Sequence, residues 1–418
     1  MNRSLNLLSL FSGCGGMDLG FEGDFDVLSS SIDDLVREKS TANSNKWVHL
    51  KHTSFHTIFA NDIREDAKTA WVQYFKQKGI DDSIYHTDSI VDLVKRYRSG
   101  DKTVFPQNVD IVTGGFPCQD FSVSGKRLGF HSNKNHLGKI DVDCPSVETR
   151  GQLYIWMKEV IEITQPKIFV AENVKGLTNL RDVVNIIQND FSSIGENGYI
   201  VVPPQVLKAA EYGVPQSRER VIFIGFRKSA LKADALKKLS ADVISDKYDP
   251  YPTATHYVDD YDEISLFGSR KRFVNTKTAL QGLDEPEKST DLSQKKYSHA
   301  KYMGNHCQGQ TEIKLDSIAP TIRSEHHGNI EFRRLSEEHG GTHTEELQLG
   351  MKERRLTIRE CARLQTFPDD YQFVFNKTSE HPALSASNAY KLIGNAVPPL
   401  LAYHIARRIE ENWDLYFK

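Results

Sequence analysis

The sequence predicts an α/β protein whose core is a doubly wound, mostly parallel sheet, followed by a smaller irregular domain. Apolar strands alternate with segments of helical apolar spacing from Leu5 to about residue 225, a pattern typical of a parallel sheet covered by helices. A glycine-rich turn joins the first strand to the first helix. Beyond Phe226 the periodicity is poor and polar residues dominate. The 418 residues exceed what one small core usually requires, so two domains are expected.

The first element is a buried strand, Leu5–Leu10, that leads into the turn Phe11-Ser-Gly-Cys-Gly-Gly16 and a helix. This order is typical of nucleotide-binding turns, although a plain tight turn has the same composition. The second strand, residues 56–60, is followed by Asp62, and an acid at this place holds ribose hydroxyls in dinucleotide-binding folds. The gap from the turn to this acid exceeds the usual ~20 residues, so we interpret residues 23–51 as an insertion.

A cysteine follows the next apolar strand. Residues 109–112 lead into Gly114-Gly-Phe-Pro-Cys118, and Asp88 offers a second acid near the end of the preceding strand. The cysteine is therefore expected on a loop at the carboxyl end of a strand, where open α/β sheets bind ligands. A lone cysteine is more often a buried structural thiol, so this loop alone does not establish a chemistry.

Two further strand ends carry charged side chains. An apolar strand over residues 167–171 ends at Glu172-Asn-Val174, and a strand over residues 221–225 follows Gln216-Ser-Arg218-Glu-Arg220. Considered alone, Glu172 could be a salt-bridged carboxylate, and Arg218 and Arg220 could lie on a solvated surface. The remaining elements predicted in this region are helices over residues 67–74, 152–164 and 182–191 and a strand over residues 199–207.

Regular structure returns near the end of the chain. Thr357 and Glu360 have the spacing of a capping box at the start of a helix over residues 357–365. A last helix, residues 400–413, follows Asn395-Ala-Val-Pro-Pro399. The intervening irregular region is locally positive, whereas the whole chain carries a net charge of −3. A DNA groove is compatible with this balance because a neutral protein can be locally basic.

Composition narrows the class further. The five cysteines contain no Cys-x-x-Cys pair, which favours a reducing compartment and predicts no metal site. The sequence has no apolar run near the ~20 residues of a membrane span and no signal peptide, so we expect a cytoplasmic protein without membrane association. For His306 and its neighbour Cys307, surface positions are favoured over a zinc site.

Cys118, Glu172 and an arginine pair together suit covalent activation of an electron-poor ring. A thiolate adds to C6 of cytosine, which makes C5 nucleophilic, while a carboxylic acid acts at N3. Arginines would hold the ring oxygen O2 and lower the thiol pKa. If the two strand ends face one pocket, as a doubly wound sheet allows, these residues form one site.

In six motifs taken in order, the chain resembles the C5-specific DNA cytosine methyltransferases of bacterial restriction–modification systems. The motifs are Phe11-Ser-Gly-Cys-Gly-Gly16, Gly115-Phe-Pro-Cys118-Gln, Glu172-Asn-Val174, Gln216-Ser-Arg218-Glu-Arg220, Arg359-Glu-Cys-Ala-Arg363-Leu-Gln-Thr-Phe-Pro368 and Gly394-Asn395-Ala-Val397.

The resemblance implies the S-adenosylmethionine-dependent methyltransferase fold and S-adenosyl-L-methionine as methyl donor. It makes Cys118 the nucleophile, Glu172 the acid at N3, and Arg218 and Arg220 the supporting arginines. The implied cofactor site consists of Phe11, Ser12, Gly13, Cys14, Gly15, Gly16, Asp62, Ile63, Asp88, Ser89, Pro117, Leu153, Asn395 and Ala396. Ile63 stands where the family often has an aromatic residue, and Ala396 where a serine is common.

The resemblance also implies a flipped-out cytosine in a specific double-stranded DNA sequence. Residues 1–228 would form the catalytic domain, residues 229–383 a target-recognition domain, and residues 384–418 a segment that packs back on the catalytic domain. Expected DNA-contacting residues are Ser122, Lys126 and Arg127 on a closing loop, and Thr321, Arg323, His326 and His327 in the second domain. A cognate restriction endonuclease would be a functional partner without a stable complex, and the protein is expected to be a monomer.

Two other interpretations use the same residues. A tRNA cytosine-5 methyltransferase shares the cysteine and glutamate motifs but has a small second domain, whereas the long irregular region here favours duplex DNA. A non-catalytic DNA-binding homologue is disfavoured because the nucleophile, the acid and the arginine pair are all present.

Overall fold

The computed structural model describes residues 3–33, 36, 41–42, 46–117, 153–179, 182–258, 270–304, 306–324, 330–376 and 383–418. Its strands are β1 (Leu5–Leu10), β2 (Phe25–Leu28), β3 (Thr41–Ala42), β4 (Trp47–Leu50), β5 (Phe55–Asn61), β6 (Tyr85–His86), β7 (Ile111–Gly115), β8 (Ile168–Val174), β9 (Tyr199–Val201), β10 (Gln205–Lys208), β11 (Glu219–Arg227), β12 (His256–Tyr257), β13 (Lys271–Arg272), β14 (Phe332–Arg334) and β15 (Arg354–Arg355). Its helices are α1 (Gly16–Glu22), α2 (Glu65–Phe75), α3 (Ile90–Arg98), α4 (Leu153–Thr164), α5 (Val183–Ser192), α6 (Ala233–Leu239), α7 (Thr276–Leu280), α8 (Leu292–Lys295), α9 (Thr344–Gln348), α10 (Ile358–Leu364), α11 (Ala386–Asn395), α12 (Pro399–Glu411) and α13 (Trp413–Tyr416).

A sheet of eight strands organises the N-terminal part of the chain. Its order is β10–β11–β8–β7–β1–β5–β6, and β9 also pairs with β11. The neighbours from β8 to β6 run parallel, whereas β11 is antiparallel to β8, and both β9 and β10 are antiparallel to β11. This topology confirms the predicted doubly wound, mostly parallel α/β fold.

The central strands are buried on both faces. Along β1, Leu7 packs in one apolar cluster and Leu8 in another, and the same alternation separates Ile111 from Val112 in β7. Helices therefore cover both faces of the sheet, which explains why these strands are continuous apolar runs and not alternating ones. The carboxyl ends of the parallel strands are the part of the sheet left for ligands.

Two element boundaries differ from the sequence-based prediction for identifiable reasons. Residues 199–207 form two strands, β9 and β10, because Pro203 and Pro204 interrupt the backbone hydrogen bonding between them. Gly114 and Gly115, which were predicted to lie in the loop, are the last two residues of β7. Because they have no side chain, Met157 packs closely against Gly114 and Glu172 packs closely against Gly115.

The last long helix packs against the first. A Cβ atom at Gly20 of α1 would lie 2.4 Å from the carbonyl oxygen of Pro399, and one at Gly16 would lie 2.3 Å from that of Val397. These two glycines let α1 and the start of α12 approach closely. The C-terminal helix thus lies beside the glycine-rich turn, although almost 400 residues separate them in the 418-residue sequence.

The residues interpreted as an insertion form a small antiparallel sheet in the order β2–β4–β3. This sheet abuts the main domain, since a Cβ atom at Gly213 would lie 1.9 Å from the carbonyl oxygen of Ser31. Trp47 of β4 contacts the guanidinium of Arg363, with 5.2 Å from the ring centre to Cζ. The insertion is therefore joined both to the segment between β10 and β11 and to α10.

The second region contains short elements, and buried arginines hold it together. The Arg355 guanidinium donates to the carbonyl oxygens of Ala300 (2.8 Å) and Gly309 (2.6 Å), and that of Arg354 forms two-pronged bonds with Glu285 and Glu360. Burial alone would raise the pKa of Glu285, but its bonds with Arg354 outweigh burial and lower that pKa. Charge-assisted hydrogen bonds thus partly replace regular secondary structure here.

A short parallel contact attaches the second region to the main sheet. Ser217 N donates to the carbonyl oxygen of Ala319 at 2.8 Å, and Ala319 N donates to that of Pro215 at 3.1 Å. Residues 319–322 therefore lie along the segment that enters β11. Across the described residues, no helix has the length and apolar character that crossing a membrane requires.

Candidate active site

Glu172 and Arg220 form an ion pair at the carboxyl end of β8. Arg220 is opposite Val174 in the β8–β11 ladder and Glu172 is opposite Ile222, so the two side chains are diagonal neighbours on one face of the sheet. The Nε atom of Arg220 lies 2.6 Å from Oε1 of Glu172, and the side chains are only 11% and 9% exposed. A carboxylate and a guanidinium are thus held together at the edge of the sheet where ligands bind.

Gly115 makes room for the Glu172 carboxylate. It is the neighbour of Glu172 in the β7–β8 ladder, and a Cβ atom there would lie 2.8 Å from Oε2 of Glu172. The backbone beyond it is fixed by a hydrogen bond from Asn173 Nδ2 to the carbonyl oxygen of Phe116 at 3.3 Å. Pro117 follows, partly exposed, and Cys118 lies immediately beyond it, outside the described residues.

The structure separates the two arginines of the Gln-x-Arg-x-Arg motif. Arg218 is 1% exposed, and its guanidinium donates to the carbonyl oxygens of Ile322 (3.2 Å), Gly394 (3.0 Å) and Asn395 (3.5 Å). It therefore joins the second region and α11 to the entrance of β11. Arg220 is the arginine that contacts Glu172.

A buried pair of amides, which the sequence analysis did not assign, fixes the same junction. Gln216 accepts from Ile322 N at 3.0 Å and donates through Nε2 to the side chain of Gln365. Gln365 in turn donates to the carbonyl oxygens of Ile393 (3.2 Å) and Ala396 (2.6 Å). Both glutamines lie inside motifs recognised in the sequence, but the pairing depends on a contact between segments about 150 residues apart in sequence numbering.

An open cleft of about 460 Å³ of empty space lies beside the ion pair. Its wall combines the end of β8, the start of β11 and the second region, with Val174, Lys175, Gly176, Ser217, Glu219, Arg220 and Thr321 lining it. The hydroxyl of Thr321 donates to the carbonyl oxygen of Ser217 at 2.9 Å. The cleft is open to solvent, and its wall carries both charged and polar side chains.

The glycine-rich turn forms a second cradle at the same edge of the sheet. Gly13 and Gly15 have φ angles of 55° and 77°, and Phe11 has φ 52° although it carries a side chain. A Cβ atom at Gly15 would lie 2.6 Å from side-chain atoms of both Trp71 and Phe75. Only glycine fits there, so the turn packs directly on the buried rings of α2, whereas a Cβ atom at Gly13 would meet nothing within 4 Å.

Asp62 is tied to this turn. Its carboxylate accepts from the backbone N–H of Gly13 at 3.1 Å and of Arg64 at 3.0 Å. Burial raises the pKa of Asp62 despite these two bonds, which favour the charged form. The next side chain, Ile63, is 42% exposed. A carboxylate that can accept from ribose hydroxyls therefore lies beside an exposed apolar side chain that can pack on an adenine ring.

Asn61 connects Asp62 with the second acid. Its amide donates to the carbonyl oxygens of His86 (3.0 Å) and Asp88 (2.8 Å), so the end of β5 sets the position of the segment after β6. The Asp88 side chain is exposed, and Ser89 caps α3 by accepting from Val91 N at 3.3 Å. Asn61 was not assigned in the sequence analysis, although it directly precedes the predicted acid.

The other implied cofactor residues differ in exposure. Cys14 is buried, its thiol contacts the carbonyl oxygen of Leu392, and burial raises its pKa far above the ordinary value, so it is not a reactive thiol. Leu153 is buried at the start of α4. Asn395 is exposed, and the Ala396 Cβ lies near Gly16, 3.1 Å from where a Cβ atom there would be.

A buried carboxylate lies behind the turn. Asp18 of α1 accepts from the hydroxyl of Ser9 at 2.5 Å and from the indole N–H of Trp71 at 2.8 Å. Ser12 in the turn donates to the Ser9 hydroxyl at 2.8 Å. Burial raises the pKa of Asp18 to about 6, although these two hydrogen bonds favour the charged form. A hydroxyl chain therefore links the turn to an acid inside the domain.

Two of the predicted DNA-contacting residues are described. Thr321 lines the cleft, and Arg323 forms an ion pair with Glu331 at 2.9 Å. A Cβ atom at Gly394 would lie 2.2 Å from the carbonyl carbon of Arg323, so α11 packs directly on this segment. The remaining predictions fall outside the described residues: Ser122, Lys126, Arg127, His326 and His327.

Comparison with known proteins places this architecture among DNA-modifying enzymes. Residues 5–411 match the model of the family described as C-5 cytosine-specific DNA methylase. The Type II methyltransferase M.BsuRI of Bacillus subtilis is 32% identical over 99% of this chain and 80% of its own length, and M.BspRI of Lysinibacillus sphaericus is 29% identical over 99% and 83%. The Dnmt2 methyltransferase of S. pombe shares the fold, with a TM-score of 0.56 at 16% identity over 98% of this chain and 99% of that one.

Proposed function

The chain belongs to the C-5 cytosine-specific DNA methylase family, and from that premise we propose which residues carry the methylation of cytosine C5 in DNA. We propose that the cleft beside the Glu172–Arg220 pair receives a flipped-out cytosine. The observation that supports this most strongly is the 2.6 Å contact between Glu172 and Arg220, because Arg220 lines an open cleft. Gly115 is the neighbour of Glu172 in the sheet. Cys118, three residues further along the chain, supplies the nucleophile.

The chemistry follows from these groups. The thiolate of Cys118 forms a bond to C6 of cytosine, and the electron pair of the C5–C6 double bond moves toward C5 and N3. Glu172 stabilises the developing charge by hydrogen bonding or proton transfer at N3. Arg220 would hold the ring oxygen O2. After C5 has gained a methyl group, loss of its proton and of the thiolate restores the aromatic ring and the enzyme.

S-adenosyl-L-methionine supplies an electrophilic methyl group when bound, and the cradle at the glycine-rich turn fits it. Gly13 leaves open space beside the turn, Asp62 offers a carboxylate to the ribose hydroxyls, and Ile63 offers an apolar face to the adenine. The exposed carboxylate of Asp88 suits the adenine amine. Phe11, Ser12, Gly16, Ser89, Pro117, Leu153, Asn395 and Ala396 complete the site in this proposal, and the buried Cys14 shapes it from behind.

We propose a different role for Arg218 than for Arg220. Because its guanidinium is buried against three backbone carbonyl oxygens, we assign it the role of positioning the second region relative to the cleft. Residues 1–228 are then the catalytic domain, residues 229–383 the recognition domain, and residues 384–418 a return to the catalytic domain. Thr321 and Arg323 would contact the DNA backbone near the cleft, together with Ser122, Lys126, Arg127, His326 and His327.

Partners follow from the substrate and from the relatives. DNA is the substrate of the family. The Type II methyltransferases among the relatives support a role in restriction–modification, with a cognate endonuclease that acts on the same sequence without forming a stable complex. A monomer that acts in the bacterial cytoplasm, where it meets the chromosome, completes the proposal.

Sequencing after bisulfite treatment tests this function. DNA from cells that express the protein is expected to retain unconverted cytosine at one recurring sequence, and DNA from cells that express Cys118→Ser is expected to retain none. Total tRNA from the same cells is the second substrate to be examined. Methylation confined to tRNA, with plasmid DNA unmodified, would contradict the proposal and favour the tRNA methyltransferase interpretation.

A further inference from the structure

A second ion pair lines the cleft, next to the one that contains Glu172. Lys175 is the first residue after β8, and Glu219 is the first residue of β11. The Nζ atom of Lys175 lies 2.9 Å from both carboxylate oxygens of Glu219. Both residues belong to the cleft wall, together with Arg220 and Thr321. The register of the two antiparallel strands that holds Glu172 beside Arg220 therefore also brings Lys175 to Glu219.

The charges along this wall cancel in the free protein. Arg220 is paired with Glu172, and Lys175 is paired with Glu219, so each cation that lines the cleft among the described residues has a carboxylate partner. The two pairs differ in exposure. The Glu172–Arg220 side chains are about one-tenth exposed, whereas those of Lys175 and Glu219 are 51% and 30% exposed. An exposed lysine–carboxylate pair contributes little to stability, so its partner is easily exchanged.

We propose that Lys175 binds a DNA backbone phosphate next to the flipped cytosine, and that Glu219 holds this lysine in the free enzyme and releases it when DNA enters. This inference rests on the proposed function, because it takes the cleft as the site of the target nucleotide. A lysine ammonium is a compact charge on a flexible stem and suits phosphate, whereas the fixed guanidinium of Arg220 suits the ring oxygen.

Position along the strand supports a phosphate contact and not a base contact. Lys175 lies three residues beyond Glu172, which is about 10 Å along an extended chain, and its side chain is 51% exposed whereas that of Glu172 is 9% exposed. The base of a flipped nucleotide enters first and its phosphate remains outside. Thr321, whose hydroxyl donates to the carbonyl oxygen of Ser217, lines the same cleft. Phosphate contacts of this kind fix the register of the substrate.

The competing role for this pair is structural. The salt bridge would then brace the end of β8 against the start of β11, and loss of either partner would have the same effect. The DNA-binding role predicts effects of opposite sign, since Lys175→Gln removes a phosphate ligand whereas Glu219→Gln frees that ligand and removes a carboxylate that repels DNA.

The test measures the equilibrium Kd for the duplex that bisulfite mapping identifies, as a function of NaCl concentration, for both single variants and the double variant. Lys175→Gln is expected to weaken binding about 3- to 10-fold and to reduce the slope of log K against log salt by about 0.9, the loss of one phosphate contact. Glu219→Gln is expected to tighten binding about 3-fold. The double variant is expected to fall between the two single variants in Kd, because it lacks the phosphate ligand and also the repelling carboxylate, and to keep the reduced salt slope of Lys175→Gln.

A matched pair far from the cleft serves as control. Lys76 and Asp82 form an exposed pair at 3.8 Å, with 56% and 48% of the side chains exposed, at the end of α2 that lies away from the carboxyl edge of the sheet. Lys76→Gln is expected to leave both Kd and salt slope unchanged. The inference would be overturned if Lys175→Gln and Glu219→Gln changed Kd in the same direction. It would also be overturned if the wild type methylated DNA and Lys175→Gln left the salt slope of binding unchanged. A wild type that fails to methylate DNA would overturn the proposed function instead.

Discussion

Arg220 Nε lies 2.6 Å from Glu172 Oε1, and the β8–β11 register makes the two residues diagonal neighbours. This contact joins an acid and a cation that are 48 positions apart in the sequence numbering. It fixes the carboxylate beside Arg220, which lines the cleft proposed to receive the cytosine ring. The consequences of this arrangement can be tested one residue at a time.

Glu172→Gln is expected to lower kcat by about 10²- to 10⁴-fold, the usual contribution of general acid–base catalysis. The amide keeps the shape of the side chain but neither carries the charge that pairs with Arg220 nor transfers a proton to N3. Single-turnover methylation and equilibrium DNA binding should be measured on the same variant. Equal losses in turnover and in DNA affinity would identify Glu172 as a binding residue.

Gly115→Ala is expected to lower kcat about 10- to 100-fold with little change in Tm. The new methyl group would lie 2.8 Å from Oε2 of Glu172 and displace the carboxylate, and small displacements of catalytic groups are costly. Gly114→Ala is the matched control, since its Cβ would lie 3.1 Å from Met157 Sδ and away from Glu172. A larger loss of kcat in the control than in Gly115→Ala would contradict this assignment.

Arg218→Met and Arg220→Gln are expected to differ in kind. Loss of the Arg218 guanidinium leaves buried carbonyl oxygens without donors, at about 1–3 kcal/mol each, so thermal unfolding should shift to lower temperature. Arg220→Gln should lose turnover while Tm stays near that of the wild type. Thermal unfolding followed by circular dichroism distinguishes them, and an unchanged Tm in Arg218→Met would show that the buried contacts do not support the fold.

The stability difference between wild type and Asp18→Asn is expected to depend on pH. Burial raises the Asp18 pKa from 3.8 to about 6, so the proton is bound more tightly in the folded state. The resulting contribution is fully present below pH 4 and is lost as pH rises through 6, a change of about 3 kcal/mol relative to the non-titrating asparagine. Urea unfolding between pH 4 and 8, followed by tryptophan fluorescence, measures it. A pH-independent difference would show that Asp18 keeps an ordinary pKa.

The fold was predictable because the apolar runs of β1, β7 and β8 are buried on both faces and are separated from one another by segments of helical spacing. The Thr357–Glu360 capping box was equally visible, and both of its hydrogen bonds are present. Such patterns can be predicted because all of the residues that form them lie close together in the sequence.

Contacts between distant segments were not predictable in the same way. Arg218 and Arg220 are two residues apart, a spacing that puts side chains on one face of an extended strand. Arg218 precedes β11, however, and is covered by residues 322 and 394–395 from elsewhere in the chain. Gln365 and the Lys175–Glu219 pair likewise depend on strand register and on packing between regions, which residue spacing does not encode.

Covalent trapping tests the central claim most directly. A duplex with 5-fluorocytosine at the mapped target position carries fluorine where the C5 proton would leave, so the enzyme cannot eliminate its thiolate after methyl transfer. With S-adenosylmethionine present, the wild type is expected to form a denaturation-resistant adduct that peptide mass spectrometry assigns to Cys118, and Cys118→Ser is expected to form none. An adduct on another residue, or one that forms normally in Cys118→Ser, would contradict the assigned nucleophile and the site built around it.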